Sequence, residues 1–132
     1  MKSAVVLPVY ILEDDLFFCQ LLKVQVEKFF QAKQLTGQIL TFSNGEDFLK
    51  QYTGKASLIF LDYLLGDENS EEVLKKIYEV NKKQKVVMLS GQDDGSTTLR
   101  LIRMGIRHYI IKDDDYINNL QEVMGEEFSD QE

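Results

Sequence analysis

Five short apolar runs alternate along the chain with longer stretches whose apolar residues recur at helical spacing. The runs are Val9 to Leu12, Ile39 to Phe42, Leu58 to Leu61, Val86 to Leu89 and Tyr109 to Ile111. This alternation constrains the fold more than any other feature. Strands separated by helices need crossover connections, and those crossovers pack a parallel sheet between two helical layers. The third run is the plainest case: Leu58, Ile59, Phe60 and Leu61 are apolar without alternation, as in a strand covered on both faces.

The expected architecture is α/β, a (βα)5 three-layer sandwich around a central parallel five-stranded sheet. Alternation alone does not dictate strand order. The flavodoxin-like order 2-1-3-4-5 is the expectation, and it brings the carboxyl ends of strands one and three to one crevice.

The helices follow from spacing. Phe18, Leu22, Val26 and Phe30 recur every fourth residue, with Leu21 and Phe29 widening the stripe. Ser43 and Glu46 stand at capping-box spacing before a short helix containing Phe48 and Leu49. A third helix is expected from Asn69 or Ser70, with Glu71 and Glu72 at its amino end and Val73, Leu74, Ile77 and Val80 on one face. Leu99 and Ile102 mark a fourth helix stopped by Gly105, and Ile117, Leu120 and Met124 mark a fifth. The domain is expected over residues 1–124, followed by an acidic, fraying tail, "GEEFSDQE", over 125–132.

Composition excludes several classes. At 132 residues, 44% apolar and 28% charged, the chain is an ordinary globular domain rather than a disordered one. A formal charge of -7 with no basic stripe argues against direct nucleic-acid binding. One cysteine, Cys19, and one histidine, His108, leave no internal disulfide and no Cys/His zinc cage, which fits a reducing, cytoplasmic setting. The apolar run from Ala4 to Leu12 is too short to span a bilayer and ends in "EDD", where a signal peptide would carry small residues.

Four strand ends carry chemistry. Strand one ends in Glu13, Asp14 and Asp15, strand three in Asp62, strand four in Ser90 and strand five in Lys112. Clustered carboxylates repel and raise one another's pKa unless a cation sits among them. Mg²⁺ answers that need, because it commonly takes one or two carboxylates, several waters and a phosphate oxygen. Such a cation lets a phosphoryl group approach an aspartate nucleophile, with an ammonium and a hydroxyl steadying the phosphoryl oxygens.

Over nearly its whole length the sequence resembles the receiver domain of two-component response regulators. The matching segments are "YILEDD", "LIFLDYLLGDENSEEVL", "VVMLSG" and "GIRHYIIK". The resemblance implies that Asp62 is the phosphoacceptor and Asp14 a direct metal ligand, with Glu13 reaching the metal through water and the Leu64 backbone carbonyl supplying another ligand. It makes Ser90 the switch hydroxyl, Tyr109 the switch aromatic and Lys112 the family's lysine. It further implies Mg²⁺ as cofactor and a histidine kinase or histidine phosphotransfer protein as donor. The output would be a downstream partner, a separate output domain or a phospho-dependent homodimer, reached through helix four, strand five and helix five. Such a receiver is no general enzyme and promotes only its own phosphorylation and dephosphorylation.

Three positions depart from the family pattern: Gly66 for the usual proline, Ser70 for glycine, and Asp113 for the proline after the lysine. The family's Lys-Pro bond is typically cis, and a cis Lys112–Asp113 bond would cost about 2.5 to 4 kcal/mol, so either that strain is present or the loop differs. A receiver-like adaptor that works without phosphorylation is the alternative these departures suggest. A haloacid-dehalogenase-like phosphohydrolase would place a second aspartate at position 64, which is leucine. An apolar Leu64 cannot orient an attacking water, so a phosphorylated form is expected to be long-lived unless Gln92 or a phosphatase intervenes.

Each residue alone has a structural reading. "EDD" also suits a helix cap, Asp62 a turn, Ser90 a cap, Lys112 a solvated charge and Tyr109 the core. Cys19 reads as a small buried hydrophobe, His108 as a surface or strand-edge residue, and "KDDD" as solvated charge entering helix five.

Overall fold

The computed structural model describes residues 5–92 and 94–129. Its main sheet has five parallel strands: β1 (Val6–Leu12), β2 (Thr36–Phe42), β3 (Leu58–Asp62), β6 (Val86–Ser90) and β7 (His108–Ile111). Their order is β2-β1-β3-β6-β7, the expected 2-1-3-4-5 once two short strands outside this sheet, β4 (Leu64–Leu65) and β5 (Glu68–Asn69), are set aside. Five helices connect them: α1 (Leu16–Ala32), α2 (Gly45–Gln51), α3 (Glu71–Val80), α4 (Gly95–Met104) and α5 (Tyr116–Glu127). Among the described residues no helix is long and apolar enough to cross a membrane.

The period-two geometry of a strand sends alternate residues to opposite faces, and both faces are covered. Val9, Ile11, Phe60 and Leu89 pack against α1 and α5 through Leu22, Val26, Phe29, Leu120 and Met124. Tyr10, Leu12, Ile59, Leu61 and Met88 pack against α2, α3 and α4 through Phe48, Leu74, Ile77 and Leu101. Two layers of helix therefore squeeze β3 and β6, every residue of which is buried. Removing a fully buried ring there, as in Phe60→Ala, is worth about 3 to 5 kcal/mol. A rigid sheet of this kind holds its carboxyl-end side chains in fixed relation.

Several local expectations are corrected. The α2 cap is Asn44 rather than Ser43: its side chain accepts the Asp47 N–H at 2.8 Å and donates to the Asp47 carboxylate at 3.1 Å. On α4 the sheet-facing row is Thr97 and Leu101, so Leu99 and Ile102 point outward and are 49% and 52% exposed. Val80, the last residue of α3, is likewise exposed, beside Gly54. Ile117 is exposed on α5, whereas Leu120 and Met124 are buried. Gly105 does end α4, at φ 120, with its N–H donating to the Leu101 and Ile102 carbonyls.

The first residues of the stretch expected as a tail are helical. α5 continues through Gly125 and Glu126 to Glu127, and Phe128 is only 2% exposed, packed against Phe29 and Phe30 with ring centroids 6.0 and 5.2 Å away. One aromatic in the acidic stretch anchors it. Residues 130–132 of the expected tail lie outside the described residues.

Candidate functional site

The carboxyl ends of β1, β3, β6 and β7 gather the residues singled out from sequence. Glu13 leaves β1 with its N–H bonded to the Phe42 carbonyl at 3.0 Å, Asp62 is the last residue of β3, Ser90 the last of β6, and Lys112 follows β7 with its N–H on the Ser90 carbonyl at 2.8 Å. Main-chain bonds thus hold the segments in register. Lys112 reaches across the pocket, its Nζ 2.6 Å from Glu13 Oε1, 3.4 Å from Asp62 Oδ1 and 4.5 Å from the centre of the Phe18 ring. The ammonium group is thus paired with two carboxylates and lies over an aromatic face.

The three residues of "EDD" divide their work. Asp15 is the amino-terminal cap of α1, accepting the Phe18 N–H at 3.0 Å. Glu13 and Asp14 belong to the pocket. One carboxylate oxygen from each of Glu13, Asp14 and Asp62 can be chosen so that all three lie within 4.8 Å of one another. Glu13 and Asp62 are buried while Asp14 is exposed. Burial, then the hydrogen bond and negative charge of Glu13, push the Asp62 carboxyl up to about 7, and Lys112 only partly opposes this. One lysine does not balance three acids. An oxygen-rich set of this kind, open to solvent at Asp14, suits a hard divalent cation.

Ser90 and Tyr109 meet at one carbonyl. Ser90 Oγ donates to the Gln92 carbonyl at 3.2 Å and accepts the Gln92 N–H at 3.1 Å, while the Tyr109 hydroxyl donates to the same carbonyl at 3.0 Å. The two side chains are therefore joined through the β6–α4 loop. Leu64 lies two residues past Asp62, opening β4, with its side chain half exposed.

The departures from the family pattern have local explanations. Gly66 sits at φ 67 in the turn between β4 and β5, where proline's fixed negative φ is excluded, and its N–H donates to Asp14 Oδ2 at 2.9 Å. Ser70 is fully buried, its hydroxyl 3.7 Å from the Met88 sulfur. Asp113 has an N–H and uses it, donating to the Ile111 carbonyl at 2.9 Å, and no peptide bond among the described residues is cis. Of the two outcomes expected at Lys112–Asp113, the altered loop is the one present. The acids of "KDDD" are exposed at the amino end of α5, as expected, with Asp115 at the cap position and the Asp113 carboxylate accepting the Asp115 N–H at 2.9 Å.

Sequence reading missed several residues around the pocket. Arg100 on α4 makes paired hydrogen bonds to Glu71 at 3.0 and 2.8 Å and touches the Tyr63 hydroxyl at 3.3 Å, and that hydroxyl donates to Glu71 at 2.8 Å. The cluster ties α4 to α3 and to the residue next to Asp62. Asp94 caps α4 through the Ser96 and Thr97 N–H groups, a signal visible in "DGST". Tyr116 has a buried hydroxyl without a protein partner among the described residues, and burial, then the charges of Glu13 and Asp62, raise its pKa. A cleft of about 860 Å³ opens beside Asp14, between α2, the β4–β5 turn and α3, lined in part by Asn44, Leu65, Gly66 and Glu72.

Comparison with known proteins agrees with this layout. Solved structures that are similar include the phosphorylated cyanobacterial phytochrome response regulator RcpA, at 18% identity over 96% of this chain and 96% of that one, TM-score 0.79. The BeF3-activated receiver domain of Thermotoga maritima DrrB is 23% identical over 95% of this chain and 99% of that one, TM-score 0.74. The Mn²⁺-bound form of the response regulator Rcp1 is 18% identical over 89% and 91%, TM-score 0.71. These likenesses concern the fold. No curated protein sequence matches. The model of the response regulator receiver domain family matches residues 9–123, which is most of the chain, and the protein belongs to that family.

Proposed function

We propose that this receiver is a phosphorylation-driven switch whose acceptor is Asp62. A carboxylate oxygen of Asp62 attacks the phosphorus of a phosphohistidine on a histidine kinase or phosphotransfer protein. The P–N bond breaks, the imidazole leaves with its electron pair, and an aspartyl phosphate remains. Asp14, Asp62 and the Leu64 carbonyl would hold Mg²⁺ directly and Glu13 would hold it through water. When bound, the ion supplies charge neutralisation that lets two anions meet. Lys112 gives its ammonium to a phosphoryl oxygen, and Ser90, once free of Gln92, gives its hydroxyl to another.

That exchange is the switch. Ser90 and Tyr109 share the Gln92 carbonyl, so a move by Ser90 frees hydrogen-bonding capacity that Tyr109 and the β6–α4 loop must redistribute. The change would be read on the face of α4, β7 and α5, which carries exposed Leu99, Ile102 and Ile117 for a downstream partner, a separate output domain or a second copy.

The carrying observation is the meeting of Glu13, Asp14, Asp62 and Lys112 from three separate strand ends, with the acids outnumbering the base. The phosphorylated, BeF3-activated and Mn²⁺-bound states in which the similar proteins were solved support the same reading by analogy. The test is incubation with Mg²⁺ and a small phosphodonor, followed by intact-mass measurement. Wild type is expected to gain one phosphoryl group that Asp62→Asn does not; equal gain by both would overturn the assignment.

A further inference from the structure

We propose that Gly66 is a positioning residue for the cation site: its main-chain N–H, aimed by a left-handed backbone, fixes the Asp14 carboxylate in the ligand cluster. The inference rests on the cation-binding reading above and assigns the component that orients its exposed ligand.

The three acids are restrained unequally. Glu13 is gripped by Lys112 at 2.6 Å and by the Asp15 N–H at 3.2 Å, and Asp62 is buried with Lys112 at 3.4 Å. Asp14 is exposed, and among the described residues it has no lysine partner to orient it. Its protein partner is the Gly66 N–H at 2.9 Å, a bond that crosses from the β1–α1 loop to the β4–β5 turn. An N–H on one carboxylate oxygen leaves the other free for a cation, and it spares the ion the cost of ordering a mobile side chain.

The turn is built for this. Leu64 pairs with Asn69 and Leu65 with Glu68, leaving Gly66 and Asp67 at the tip. Gly66 takes φ 67, which glycine adopts freely and asparagine tolerates. A Cβ added at Gly66 would meet nothing within 4 Å, so substitution there tests backbone and N–H rather than packing. The hairpin also begins at Leu64, whose carbonyl is the proposed main-chain ligand, so one turn would serve two ligands.

The test is titration of metal-free protein with Mg²⁺ alone, read as heat of binding, on the full chain and its variants, with thermal melting to verify folding. Gly66→Pro lacks both the N–H and the positive φ, and is expected to bind Mg²⁺ about tenfold more weakly, the low end of losses seen when a ligand's supporting partner is removed. Gly66→Asn keeps both and is expected to stay within about twofold of wild type. Gly66→Ala, which keeps the N–H but disfavours the backbone, should fall between them. Equal affinity in all four proteins would overturn the proposal, as would equal weakening in Asn and Pro. Should Gly66→Pro fail to fold, Ala weaker than Asn sustains the proposal and Ala equal to Asn overturns it. A wild type that takes up no Mg²⁺ would overturn the proposal together with the cation reading, an outcome distinct from altered order among variants of a protein that binds.

Discussion

The two ends of the sheet each bury a glutamate, and they treat it oppositely. At the amino end Glu127 is enclosed by Arg107 at 3.0 and 3.2 Å, His108 at 2.8 Å and Lys85 at 3.6 Å, three basic side chains around one acid. At the carboxyl end Glu13 shares a single lysine with Asp62, while Asp14 stands beside them. Burial raises the Glu127 pKa, but Arg107 and His108 outweigh it and hold the carboxyl below its usual range, whereas Asp62 is pushed up. Both acids are buried at an end of the sheet, and the balance of charge around them differs. A buried acid with partners closes a structure, and one without enough of them reserves a place for a cation.

The largest expected effect lies at the closed end. Glu127→Gln should cost about 2 to 3 kcal/mol in denaturant unfolding, below the 3 to 5 typical of a fully buried pair because Arg107 is half exposed. Its pH dependence has a definite sign. A carboxyl whose folded pKa is depressed stabilises above the ordinary glutamate pKa and loses that contribution as pH falls through the folded value, so the gap between wild type and variant should shrink in acid. A gap that widened on acidification would break the comparison.

The opposite sign is expected at the open end. In the absence of divalent cations, Asp62→Asn should raise stability modestly in denaturant unfolding, because the amide is spared the burial of a charge and the repulsion from Glu13 that push this carboxyl up. Loss of stability comparable to that of Glu127→Gln would show that Asp62 is a structural acid. Smaller again is the coupling between Arg100 and Glu71, measured by a double-mutant cycle of Arg100→Gln and Glu71→Gln, because Arg100 is half exposed.

The sequence makes the carboxyl end legible and the amino end almost opaque. Glu13, Asp14, Asp62, Ser90 and Lys112 each stand at the end of a recognisable apolar run, so strand ends alone bring them together. Glu127 pairs with Arg107 and His108 across 20 and 19 residues, and in sequence it is one acid of an acidic stretch. Nothing local distinguishes it from its neighbour Glu126. The same reasoning explains α4: Leu99 and Ile102 are apolar enough to suggest a core row, but Thr97, with a methyl group and a capped hydroxyl, takes the sheet-facing place beside Leu101. The β4–β5 turn escaped notice because two-residue strands carry no period, and its purpose shows only once Gly66 meets Asp14 across 52 residues.

The central claim, that the carboxyl end is short of positive charge and is completed by a divalent cation, is tested most directly by melting the protein with and without Mg²⁺. The account predicts that wild type is stabilised in proportion to the logarithm of Mg²⁺ concentration, by about 2.7 kcal/mol at a hundredfold excess over Kd, and that Asp14→Asn largely loses the effect. A melting curve for wild type that Mg²⁺ leaves unmoved, or that shifts equally in Asp14→Asn, would contradict it.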